Sequence, residues 1–184
     1  VTHVRSTVLQ SSLAGLKERG HFTHWCEKVV PATRAVILEA VGPAWLDVGI
    51  AQAHYEACEA LQLPHGELVA LSEALGARVQ GTFLASMTKA AKQAGVTPWI
   101  AVPHFGRLWG RLFQGGSMQM AKAGPKDIAL DVKGLALVQI PYFRVGYTSI
   151  IRAALLLFGA RSAYVKITRY RAGSDELSAH ASWV

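Results

Sequence analysis

The chain predicts an α+β fold: an N-terminal helical bundle packed on a small four-stranded antiparallel sheet, with a helix inserted between the sheet's two strand pairs. Two observations predict it. As far as residue 114 the apolar side chains recur at intervals of three and four, and past Gly115-Gly116 they alternate. Helical spacing then returns once, between Tyr142 and Phe158, with alternating segments on either side. The length suits one domain over residues 1–184, helical through 1–114 and strand–strand–helix–strand–strand through 117–184.

The elements follow in order. Val8, Leu9, Leu13 and Leu16 form a helical stripe closed by Gly20, and a short second helix is expected from His21 to Val29. Pro31 opens a third helix, which Gly42-Pro43 ends. Asp47 caps a fourth, with Ile50, Ala53, Ala57, Ala60 and Leu61 at helical spacing, until Pro64 interrupts it. A long helix is expected from Glu67 to Gln93, with its stripe at Leu68, Leu71, Leu75, Val79, Phe83 and Met87, weak points at Gly76 and Gly81, and a stop at Gly95. Thr97-Pro98 supplies a cap and first-turn proline for the next, which should kink at Pro103 and bury Phe105, Leu108, Trp109, Leu112 and Phe113.

Ser117 to Lys122 and Ile128 to Val132 read as strands turning at Gly124-Pro125, and Lys133-Gly134 makes another turn. The last helix should carry Phe143, Tyr147, Ile150, Ala154 and Leu157 on one face and end at Gly159. Ser162 to Arg171 and Leu177 to Trp183 then form a hairpin around residues 172–176.

Composition narrows the functional classes. Apolar residues make up 51% and charged residues 17%, ample for a core and unlike a disordered chain. The low charged fraction suggests apolar surface covered by a partner, a homodimer being the simplest expectation. The longest apolar run, Ala153 to Phe158, is far short of a membrane span, and residues 1–16 do not resemble a secretory leader. Two cysteines, Cys26 and Cys58, suit a reducing compartment, so a cytoplasmic location is expected. The net charge of +7 is uneven: residues 1–76 hold five basic and eight acidic side chains, residues 77–184 fourteen and four. An anionic partner should therefore meet the C-terminal half.

No phosphate loop, nucleophile elbow or Cys-x-x-Cys pair is present, and no catalytic residue is assigned. Asp127 and Asp131 share one side of a strand, which solvation explains more simply than acid–base work. His21, His24 and Cys26 are close in sequence, and His54 and Cys58 stand four apart, a spacing compatible with metal ligation. Burial of cysteine is the commoner reason for such a pair, and no metal site is assigned. His104 lies in an aromatic-rich helix, where an imidazole can ligate haem iron or bond a buried ligand, or simply sit at the surface. Arg144, one turn into a helix opened by Pro141, is placed to hold a carboxylate or phosphate, unless it pairs with a neighbouring acid.

Gly95-Val96-Thr97-Pro98-Trp99, the run from Arg107 to Gly116, Gly124-Pro125-Lys126, Pro141-Tyr142-Phe143-Arg144 and the segment Ala53 to Cys58 together resemble an uncharacterised myxobacterial family of paralogues of about this length. That resemblance implies no activity. The order of helices, two strands, helix and two strands is also similar to haem nitric-oxide/oxygen-binding domains and to vinyl-reductase-like domains that bind small hydrophobic molecules. The resemblance implies a pocket between helices and sheet, with haem as a cofactor and His104 in roughly the stretch of the iron ligand. The haem domains' Tyr-x-Ser-x-Arg signature is not met, because Tyr147, Ser149 and Arg152 carry one residue too many.

The function expected is a non-catalytic regulatory or sensory domain, a signalling module binding a small, mostly apolar ligand or a partner protein. Its expected ligand-binding residues are Trp99, His104, Trp109, Phe113, Tyr142, Phe143 and Arg144. The alternative is a nucleic-acid or polyanion-binding module using Arg161, Lys166, Arg169 and Arg171 with Arg107 and Arg111, Lys166 being expected on the opposite strand face from the other three hairpin cations.

Overall fold

The computed structural model describes residues 1–79 and 97–184, and only the backbone of residues 76–79, 100, 101 and 104. β1 (His3–Arg5) runs directly into α1 (Ser6–Glu18), followed by α2 (Phe22–Lys28), α3 (Pro31–Glu39), β2 (Trp45–Asp47), α4 (Val48–Glu59) and α5 (His65–Val79). Then come α6 (Pro98–Leu112), β3 (Phe113–Gln114), β4 (Ser117–Gly124) and β5 (Asp127–Lys133). A 3-10 turn at Ala136–Gln139 leads to α7 (Pro141–Leu157), and β6 (Ala163–Tyr170) and β7 (Leu177–Trp183) complete the chain. The expected continuation of α5 through Phe83 and Met87, with Gly81 and the stop at Gly95, lies outside the described residues.

β4 to β7 form the antiparallel sheet, in the order β4-β5-β7-β6, with α7 inserted between the strand pairs. Alternation decides its faces. Ile128, Leu130 and Val132 of β5 and Leu177, Ala179, Ala181 and Trp183 of β7 are buried, whereas the residues between them reach toward solvent. Each large side chain so buried contributes roughly 1.5–3 kcal/mol relative to exposure. α7 packs over this apolar face against β6, and α5 lies along α7.

A second sheet, β2-β1-β3, was not expected from the sequence. Val4 pairs with Leu46 on one side and Phe113 on the other, tying the start of the chain to the end of α6. Strands of two or three residues are too short to show alternation, so pairing between distant segments, not local pattern, makes them. In α4 the buried residues are Ala51, His54, Tyr55, Ala57 and Cys58, not the expected stripe from Ile50 to Leu61. With so many alanines around the helix, apolar spacing did not single out a face.

The helix ends show how the chain is punctuated. The Asp47 carboxylate accepts a hydrogen bond from Gly49 N at 2.7 Å, the expected cap of α4. Thr97 is extended before Pro98 but makes no side-chain capping bond, and α6 runs on through Pro103. Gly116 holds φ +63 where a Cβ would come within 2.8 Å of Lys133 O, so glycine is required at that close approach. Arg19 and His21, at the end of α1, converge on Glu67 in the first turn of α5, with Arg19 Nη2 donating at 2.5 Å. These bonds, that from Arg19 first, hold the Glu67 carboxyl down to about 2.

α7 begins with Pro141, and the next amide, Tyr142 N, donates to Glu59 Oε2 at 2.7 Å. A carboxylate is unfavourable at the end of its own helix, α4, but here it meets the positive N-terminus of α7. Glu59→Ala should lower stability by about 1 kcal/mol, and Glu59→Gln by less, since an acceptor remains. Urea denaturation of the three proteins checks this ordering.

Candidate functional site

The helices do not close completely on one another. Between α1, α4, α5, α6 and α7 lies a cavity of about 550 Å³, within the roughly 300–1,000 Å³ of small-molecule sites. α7 supplies Tyr142, Phe143, Gly146, Tyr147, Ile150 and Ile151, a single stripe at helical spacing. Facing it are Leu71 and Leu75 of α5, Phe105, Leu108, Trp109 and Leu112 of α6, and Val8 of α1, while Met118 comes in from β4. The interior is thin at Gly146, where an added Cβ would find Leu75 Cδ2 3.8 Å away.

The aromatic walls are held by specific contacts. Trp109 donates from Nε1 to Gly115 O at 3.1 Å, so the left-handed Gly115 that follows β3 also orients this ring, which lies 4.6 Å from that of Phe113. Tyr55 meets Phe143 edge to face at 5.0 Å, and Phe143 stacks on Tyr147. The Tyr147 hydroxyl donates to Met118 Sδ at 3.0 Å. Burial raises the phenols of Tyr55, Tyr142 and Tyr147 well above their usual range, so all three are neutral donors.

One wall has a polar backing. Ser12, which lines the cavity, lies 3.0 Å from Nε2 of fully buried His54, and Cys58 Sγ is 3.7 Å from the same nitrogen. His54 Nδ1 has no hydrogen-bond partner among the described residues, and the ring meets Trp25 and Tyr55 edge on. Burial pushes the imidazole down to about 3 and the Cys58 thiol up. The pair at spacing four is therefore a neutral packed cluster. No group of three or more metal-ligating side chains gathers among the described residues.

Of the expected ligand-binding residues, Trp109, Phe113, Tyr142 and Phe143 line the cavity. Trp99 does not join them; it donates to Pro125 O at 2.9 Å and packs edge to face on Trp183. Arg144 is also elsewhere. Its Nη1 donates to Val138 O and Gln139 O and its guanidinium stacks on Tyr170, while Glu59 accepts from the Tyr142 amide at this helix N-terminus. His104 is on α6, but its side chain lies outside the described atoms. Sequence reasoning missed Arg5, Ser12, Tyr55 and Gly146, since only the tertiary fold brings them together.

The outer sheet face also differs from expectation. Ile167 opposes Ala179 and Arg169 opposes Ser178, so Thr168 is an extra residue that reverses the alternation. Lys166 and Arg169 therefore share the outer face. Asp131 lies 3.9 Å from Arg169 and accepts from Ser178 Oγ at 2.6 Å, and Asp127 lies 3.9 Å from His180.

His54 gives the site a signature in acid. The unfolded imidazole binds its proton near pH 6.5 and the folded one only near 3, so the unfolded chain holds more protons in between. Stability should fall as pH drops through that window, by up to about 1.4 kcal/mol per unit from this group. Denaturant unfolding between pH 7 and 4 should show a shallower slope for His54→Gln than for the parent; equal slopes would count against a buried neutral His54.

No family model matches the chain, and no curated protein does. Solved structures do. An iron(II) unliganded H-NOX protein mutant from K. algicida superposes with a TM-score of 0.69 at 6% identity, covering 98% of this chain and 96% of that one. An oxygen-binding H-NOX domain related to soluble guanylate cyclases, solved as its oxygen complex, gives 0.62 at 9% identity over 97% and 94%. A T. tengcongensis H-NOX mutant gives 0.60 at 10% over 97% and 96%. At such identities the likeness is one of architecture, and this chain has the H-NOX fold.

Proposed function

We propose that the chain is a regulatory or sensory domain that holds a small, largely apolar ligand in the cavity between its helices. The observation that carries the proposal is the chemistry of the lining. Aromatic and aliphatic side chains make most of it, and its buried hydroxyls, on Ser12, Ser72 and the tyrosines, are neutral and sparse. Such a lining favours an apolar body and orients it through one or two hydrogen bonds. Exposed Val36 and Leu38 on α3, with Val41 beyond it, offer apolar surface to a protein partner.

Among the described lining residues none has the make-up of a catalytic centre. Ser12 and His54 stand at nucleophile–base distance, but no described group orients Nδ1 and burial leaves the imidazole too weak a base near neutral pH.

Haem is the second reading, favoured by the fold shared with the iron(II) and oxygen-bound neighbours. The described lining contains neither imidazole nor thiolate, its phenols stay protonated, and Tyr147 already donates to Met118. These residues alone do not fit an iron ligand set. The reading depends on His104 of α6, and the sensed molecule would then be a diatomic gas.

An absorbance spectrum and native mass of freshly purified protein separate the two readings. The apolar-ligand reading expects a retained organic mass or uptake of an added apolar probe, without a Soret band. A Soret band lost in His104→Ala would establish the haem reading instead. Gly146→Phe, which fills the cavity, should weaken uptake at least tenfold, while Gly146→Ala leaves it within about twofold and gains up to about 1 kcal/mol of stability from helix propensity. Unchanged uptake in Gly146→Phe would place the ligand elsewhere.

A further inference from the structure

β6 is an edge strand: β7 pairs with one side of it, and no described strand pairs with the other. The register tells which backbone groups face outward. Ser162 and Val184 exchange both backbone bonds, and Trp183 N donates to Lys126 O on the β5 side of β7. The ladder alternates from there, so Tyr164 and Lys166 turn their N–H and C=O toward β7, and Ala163, Val165 and Ile167 turn theirs away. Ala163 O accordingly accepts from outside the sheet, from Arg152 Nε of α7 at 3.2 Å.

A groove of about 720 Å³ follows this edge, lined by the unbroken run of residues 162–166, by Thr168, and by His180 and Ser182 on the outer face of β7. Tyr164 stands 68% exposed in it. On the inner side Val165 and Ile167 are half-buried. The bulge at Thr168 breaks the register, so the regular edge is confined to residues 163–167. Outward N–H and C=O groups at every second residue are matched, donor and acceptor alike, by another extended backbone.

Charge selects the occupant. Residues 161–171 contain four cations, Arg161, Lys166, Arg169 and Arg171, and no acid. Asp131 lies 3.9 Å from Arg169, but exposed Lys166, within the regular edge, pairs with no carboxylate, and every Asp and Glu of the chain is among the described residues. Two copies of the edge would bring these cations against one another, which opposes self-pairing. A nucleic acid would answer the charge and leave the strand's N–H and C=O groups unmatched. We propose that β6 takes up an extended acidic segment of a partner protein as a fifth strand of the sheet, with its acidic side chains beside Lys166 on the outer face and its apolar ones against Val165 and Ile167. This surface is separate from the cavity, so the inference stands whichever ligand the cavity holds.

The probe is a fluorescein-labelled peptide of alternating glutamate and valine, Thr-Glu-Val-Glu-Val-Glu-Thr, compared with its lysine counterpart and a single-stranded oligonucleotide at about 150 mM salt. The glutamate peptide should bind about tenfold or more tighter than the lysine one, and amide hydrogen exchange should slow at Val165, whose outward N–H the added strand takes. Lys166→Glu, at an exposed position, should cost the glutamate peptide about tenfold and reverse the preference. Val165→Pro removes an outward N–H without touching a bond to β7 and should weaken the same peptide; if it fails to fold, Lys166→Glu carries the test. Absence of glutamate-peptide binding, binding without slowed exchange at Val165, equal affinity for the two peptides, or displacement of the peptide by the oligonucleotide at equal concentration each overturns the proposal.

Discussion

The site depends on α7 serving two surfaces at once. Its stripe from Tyr142 to Ile151 lines the cavity, while Ala154 and Phe158 pack with Phe105 and Leu108 of α6, and the helix as a whole covers the apolar face of the sheet. Held between the sheet and α5, α7 leaves open space only along the stripe from Tyr142 to Ile151. Space persists where Gly146 withholds a side chain and where large rings are pinned by contacts to backbone and sulfur.

The second sheet matters for the same reason. Joining β1 to β2 and β3 holds the start of α1 against the end of α6, which sets the opening of the cavity and places Arg5 there. The Arg19–Glu67–His21 cluster restrains the other end of α1 against α5. With Glu59 capping α7, the walls are fixed by polar contacts at their ends and by apolar packing along their lengths.

Much of this architecture was legible in the sequence. The change of period after Gly115-Gly116, the strand pairs, the inserted helix and the helix limits at Pro31, Asp47 and Gly159 all follow from local pattern and turn chemistry. What was not legible required knowing which distant segments meet. The three short strands have no period to detect, and the bulge at Thr168 turns Lys166 to the face of Arg169 by one unsignalled residue. Trp99 and Arg144 had the right chemistry for a ligand but are occupied by Pro125, Trp183, Val138, Gln139 and Tyr170. His54 and Cys58 looked like a ligand spacing and form the buried backing of Ser12. The H-NOX architecture survives at 6–10% identity in the structures compared, so the layout of helices and sheet tolerates almost complete replacement of side chains, and function must be read from the residues present.

Whether the space between the helices exists in solution as a formed apolar chamber is tested most directly by backbone and methyl resonances recorded under xenon pressure, since xenon enters dry cavities without needing a polar partner. Saturable shifts concentrated at Val8, Leu71, Leu75, Trp109, Phe143, Gly146 and Ile151 are the predicted result. Shifts absent there, or spread weakly over the surface, would contradict a preformed chamber and the account built on it.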